Sequence, residues 1–232
     1  MTHRLLLALA LLAVSSVTAA TSVPTAFTAH YRVLQGGQTI GNATVTLTTG
    51  ADGTATYTKN VQGTAGLAAL LGASTTETSH FRWRGAVPEA VSYDYRFRSA
   101  GKNKTRQLRV DWPDKAVTVD DGRHHETYAA QPGMVERNTL ALAIGLALAN
   151  GQQRLTLPVA VRQKVETQSF HVAGTGPVQV PAGHFNATRV ERNDADKDFS
   201  AWYASARYPL PVKLVQSDGG NLTLELVSYS TP

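Results

Sequence analysis

The residues most able to do chemistry are few, and none of them forms a complete catalytic set. His124, His125 and Glu126 are the densest group of metal-ligating types. Neighbouring side chains on an extended chain point to opposite faces, so only His124 and Glu126 could share an ion, and two ligands are too few for a zinc site. Asp194, Asp196 and Asp198 repeat the odd-position spacing that opens a calcium loop, but the central Gly and closing Glu are absent, so they read as an acidic hairpin turn. Glu89 with Asp94, or Asp111 with Asp114, could serve a hydrolase as an acid–base pair. No Ser sits in a nucleophile elbow, no glycine loop is built for phosphate, and no His pair brackets a Glu at helical spacing. With no Cys, thiolate ligands, cysteine nucleophiles and disulfides are all excluded. The chemistry on offer leans away from an enzyme and implies neither cofactor nor metal.

The segments around these residues point to export. Arg4 precedes an unbroken apolar run over residues 5–14, too short to span a bilayer, and Val17, Ala19 and Ala20 provide a small-residue cleavage site. Residues 1–20 read as a signal peptide cut after Ala19 or Ala20. Residues 21–232 read as one periplasmic domain with no transmembrane segment. The whole chain carries a formal +5. Its basic residues are scattered, with the densest stretch over residues 96–109. An exported protein with scattered basic residues is a poor candidate for nucleic acid, and attraction to anionic envelope material is the milder inference.

Period-two patterning dominates the remainder. Apolar or β-branched runs at residues 27–34, 40–49, 54–61, 75–83, 90–98, 105–112, 116–120 and 126–129 are separated by Gly, Pro and Asp turn signals. Further runs follow at 159–166, 169–172, 185–192, 201–206, 213–216 and 222–229. Long βαβ spacing is absent, which disfavours a parallel α/β fold. The spacing predicts an all-β domain: a curved antiparallel sheet or half-open barrel with one or two short apolar helices.

Residues 139–149 break the rhythm by alternating Leu or Ile with Ala or Gly, and the Ala content favours helix over strand. Asn138 is placed to cap its start and Asn150-Gly151 its end. Leu140, Leu142, Ile144, Leu146 and Leu148 project around the whole cylinder, so one sheet face cannot cover them all. Either protein covers the remainder and the helix is a plug, or an apolar ligand does. Leu67, Leu70 and Leu71 suggest one or two helical turns over 66–72. A tight turn at 180–185 and the Pro209 and Pro211 pair before residue 213 read as rigid turns at strand ends.

In order, Tyr31, Ile40-Gly41, the turn at 85–88, Asp111-Trp112, the 180–185 turn, Arg189-Val190, Trp202-Tyr203 and Leu210-Pro211-Val212-Lys213 resemble the exported bacterial proteins of domain of unknown function 3108. The resemblance runs over nearly all the chain after residue 20. It implies a periplasmic, barrel-like β domain with no assigned catalytic residues. The reading that unites these features is a non-enzymatic envelope protein that binds or carries a lipid, lipoprotein acyl chain or glycan. Its candidate ligand-facing residues are Leu140, Leu142, Ile144, Leu146, Leu148, Trp202 and Tyr203. The alternatives are an envelope assembly factor, in which the apolar segments are only core, and the carboxylate hydrolase.

Overall fold

A computed structural model of the protein describes residues 23–50, 52–193, 199–217 and 221–232. The cleavage region and Asp194, Asp196 and Asp198 lie outside these. The chain first runs as a meander: β1 (Phe27–Gln35), β2 (Gln38–Thr49), β3 (Thr54–Gly63), β4 (Ser74–Arg84), β5 (Val87–Ser99), β6 (Lys102–Asp111), β7 (Ala116–Asp120) and β8 (His125–Ala129). A short helix, α1 (Gly66–Leu70), joins β3 to β4. After β9 (Val135–Glu136) and α2 (Leu140–Ala149) come β10 (Arg154–Ala160), β11 (Val165–Val180), β12 (Gly183–Arg192), β13 (Phe199–Tyr203), β14 (Lys213–Gln216) and β15 (Leu222–Ser230).

Among the described residues fifteen strands form one sheet in the order β8-β7-β6-β5-β4-β3-β2-β1-β15-β14-β13-β12-β11-β10-β9. Every pairing is antiparallel except β9 with β10. β15 pairs β1 on one side and β14 on the other, so it joins two arms at the middle of the sheet. The sheet curls until its arms meet. Tyr128 on β8 donates to the Val161 carbonyl just past β10 at 2.5 Å, Arg162 pairs with Asp121 at 2.5 Å, and the Ala90 amide on β5 donates to the Met134 carbonyl at 2.9 Å. Alternate residues of β1, β2 and β3 are buried on the concave face, as the period-two pattern requires.

The largest departure from the sequence reading is in the second arm. The expected strand at 159–166 contains a turn, because β10 begins at Arg154 and runs through Pro158. β9 pairs only Val159 and Ala160, so at Pro158 the strand is an edge, where a missing amide is tolerated. β11 continues to Val180 through Gly174, Gly176 and Pro177, past a register shift after Val172, and this bulge hides the alternation.

Helix α2 lies where expected, but Asn138 does not cap it. The Glu136 carboxylate accepts the amides of Asn138 (2.8 Å) and Thr139 (3.1 Å) and the Thr139 hydroxyl (2.7 Å). The Asn138 side chain instead reaches the Ser79 hydroxyl at 2.9 Å. At the far end the Asn150 side-chain amide donates to the Leu146 carbonyl at 2.9 Å, the stop that the sequence signals. Gly145 is required by close approach: a Cβ there would stand 2.0 Å from the Pro209 carbonyl oxygen. The segment around Pro209 and Pro211 is therefore a floor for the helix as well as a rigid turn.

Candidate functional site

The concave face is only partly filled. Cross-strand register stacks the inward side chains of β2 to β6 in rows. One row runs Leu47, Tyr57, Ser79, Tyr93 and Leu108; the next runs Val45, Lys59, Glu77, Tyr95 and Arg106; a third runs Ala43, Val61, Thr75 and Phe97. The first row is buried beside the start of α2, where Asn138 bonds Ser79. Above it lies a cavity of about 620 Å³, lined by residues from both arms. Inward positions become exposed toward the β1–β2 turn: Tyr31 and Val33 are buried whereas Gln35 is exposed, and Tyr57 is buried whereas Lys59 and Val61 are only partly so. The cavity therefore opens at that end.

Its two walls differ chemically. The wall formed by β1 and the second arm is mainly apolar, with Val33, Phe170, Phe199, Leu214, Leu222 and Leu224, and carries Arg162, Gln168 and Arg192 among them. The opposite wall carries a polar belt around Glu77. Lys59 Nζ lies 2.8 Å from one Glu77 carboxylate oxygen, the Tyr93 hydroxyl donates to the other at 2.6 Å, and Arg137 approaches at 4.0 Å. Burial pushes the Glu77 carboxyl up, but Lys59, Arg137 and the hydrogen bonds from Lys59 and Tyr93 outweigh it and hold the group below its ordinary value. Burial and the Glu77 charge push the Tyr93 hydroxyl up, which keeps it a donor. Near the helix start, burial raises the Glu136 carboxyl despite the hydrogen bonds it accepts.

The charged side chains of the lining are mainly cations. Lys59, Arg106, Arg137, Arg162 and Arg192 contribute to it, against Glu77 as the one carboxylate among the described lining residues. Four lining side chains also hold buried polar atoms with no hydrogen-bond partner: Asn138 Oδ1, Gln168 Oε1, Arg106 Nε and Arg162 Nε. Asn138 and Gln168 are only 3% and 5% exposed. Unpaired polar atoms so deeply buried are rare, and two acceptors and two donors around one cavity make a lining suited to a polar group.

Of the sequence-selected residues, only Leu140 lines this cavity. Leu142, Ile144 and Leu146 are buried in the core, and Leu148 packs against it half-buried. Tyr203 is buried with its hydroxyl donating to the Ala141 carbonyl at 3.0 Å, and Trp202 is half-buried beneath Lys213. The helix is thus chiefly a plug that closes one end of the cavity. Lys59, Glu77, Tyr93, Arg106 and Gln168 escape sequence reasoning because they come from four strands and from β11 across the cavity. Only correct register would have aligned them.

The carboxylates considered for hydrolysis are separately engaged. Glu89 is buried against Arg82 (2.6 Å), Arg84 (3.4 Å) and the Gly133 amide (2.7 Å). Asp94 pairs with Arg109 at 2.9 Å, and Asp111 accepts the Asp114 amide at 3.0 Å. His124 is exposed beside Asp121 and Arg162, and among the described residues no three His, Asp or Glu gather as for a metal. Nor, among those residues, is any helix long and apolar enough to cross a membrane.

The fold is similar to that of a β-barrel-like protein of domain of unknown function DUF1849 from Brucella abortus, known from its crystal structure. The TM-score is 0.55 at 10% identity, covering 90% of this chain and 98% of that one. At this identity the likeness is one of fold. No curated protein matches the chain. The curled sheet, the order of its turns and the Trp202-Tyr203 and Leu210-Pro211-Val212-Lys213 segments agree with a match over residues 26–227, and the chain belongs to the family described as Protein of unknown function (DUF3108).

Proposed function

We propose that the protein is an exported, non-enzymatic envelope protein that binds or carries an amphiphile: an acyl or other apolar chain against the β1 and second-arm wall, with an anionic head on the polar belt. The observation that carries this reading is the cavity of about 620 Å³ with an apolar patch on β1 and the second arm and five cationic side chains in its lining. Its volume lies in the range of small-molecule sites, and a few placed polar groups on an apolar lining are their usual composition. Arg106 Nε offers a donor to an anionic oxygen, while Asn138 Oδ1 and Gln168 Oε1 call for a hydroxyl or N–H on the same head. A lipid or lipoprotein acyl chain fits better than a glycan, which would leave the apolar patch unmatched. Residues 1–20 support a periplasmic location through their signal-peptide pattern.

The test is organic extraction and mass spectrometry of the protein purified from the envelope fraction of its host, paired with titration by a fluorescent fatty acid. A near-stoichiometric amphiphile and saturable probe binding are expected, with binding lost in Leu214→Trp, which fills the apolar side. An empty extract together with no probe binding would overturn the reading.

A further inference from the structure

The mouth of the cavity carries a surface that the cavity itself does not explain. Exposed large apolar side chains are few among the described residues, and three of the five, Leu67 (68% exposed), Leu70 (81%) and Leu71 (37%), belong to α1 and the residue after it. The segment is fixed rather than loose. The Thr64 and Ala65 amides both donate to the Ile40 carbonyl, at 2.9 and 3.3 Å, which pins it to β2 beside the lining residues Ile40 and Val61. The Ala100 amide donates to the Leu71 carbonyl at 2.8 Å, which ties the same segment to the β5–β6 hairpin.

That hairpin is basic. Arg96 and Arg98 on β5 and Lys102 and Lys104 on β6 are all exposed. The segments that build the first-arm side of the mouth, residues 35–42, 61–76 and 95–110, contain no Asp or Glu except Asp94's neighbours beyond them. Protruding leucines next to unopposed cations match the two halves of a bilayer interface, acyl chains and anionic headgroups. A hydrophobic protein partner would be met as well by the leucines, but it would not call for a side of the mouth stripped of carboxylates.

We propose that this side of the mouth docks the protein on an anionic lipid surface, with Leu67, Leu70 and Leu71 inserted at the headgroup–acyl boundary and the β5–β6 cations on the headgroups. The inference does not rest on what the cavity holds.

The experiment is flotation of the purified protein with vesicles of phosphatidylcholine alone or mixed with phosphatidylglycerol. Variants are Leu67→Ser/Leu70→Ser and Lys102→Glu/Lys104→Glu, with fatty-acid probe binding and sedimentation velocity measured on each. All four substitutions are at exposed sites, and unchanged circular dichroism verifies the fold. Binding to the mixed vesicles, at least about tenfold weaker in each double variant and weakened by added salt, is the expected result. Probe binding in solution should be unchanged, so failure here and failure of the cavity reading are distinguishable. The proposal is overturned by absent vesicle binding, by equal binding to neutral and mixed vesicles, or by binding that both variants retain. It is also overturned if the leucines prove to hold two copies of the chain together without any vesicle association.

Discussion

Glu77 is the residue on which the polar belt depends. Its folded value is depressed, so its contribution to stability is present above its ordinary value of 4.5 and is lost as pH falls through the lower folded value. Glu77→Gln should destabilise the protein by about 3 kcal/mol at neutral pH, by leaving Lys59 and Arg137 facing a neutral group, and should lose less further stability on acidification than the parent. Denaturant midpoints measured between neutral pH and pH below 4.5 check both. Glu136 works in the other direction. Its raised value gives stability that is full in acid and declines as pH rises through the folded value, so Glu136→Gln should flatten the alkaline side of the same curve. Neither role was legible in the sequence. A Glu in an alternating run looks solvated, and only its row neighbours Lys59 and Tyr95, and Arg137 from beyond the sheet, show that it is not.

At the scale of elements, the sequence was most legible where one rule governed. β7 and β14 lie where alternation and flanking turns place them, and α2 is found within one residue of its expected start because Ala content decided between helix and strand. β10 and the continuation of β11 past Val172 were illegible because Pro158 and the Gly174 to Pro177 stretch are tolerated only through edge position and a bulge, which are tertiary facts. The faces of α2 now separate experimentally. Leu142→Ala and Ile144→Ala should each lose roughly 2 to 5 kcal/mol, as fully buried side chains do, with fatty-acid binding by the folded fraction unchanged. Leu140→Ala, at the cavity wall, should lose less stability and weaken the probe. Gly145→Ala should be more damaging than either buried truncation, since the Pro209 carbonyl occupies the space a methyl group needs. Thermal melts and probe titration on the four variants test this ordering.

The strands of the described residues make one sheet whose middle is assembled from distant parts of the chain. Arg32 on β1 pairs with Glu225 on β15, 193 residues further on, at 2.5 Å. Deleting residues 222–232 should therefore abolish cooperative unfolding altogether, since it removes the strand between the two arms. Removing the β8 edge by a Tyr128→Gly substitution should leave the melt cooperative and lower its midpoint. Limited proteolysis and calorimetry distinguish these outcomes. A sheet centred on β15 also sets an order of events during synthesis. The eight-strand meander emerges first and can pair internally, but β1 waits with one row of backbone amides and carbonyls unmatched until residues 222–230 arrive. For most of its birth the chain thus presents a free sticky border, and a nascent or prematurely terminated copy is a template for pairing with its neighbours. The last strand is a safety catch: once it slots beside β1, the border that invites aggregation ceases to exist.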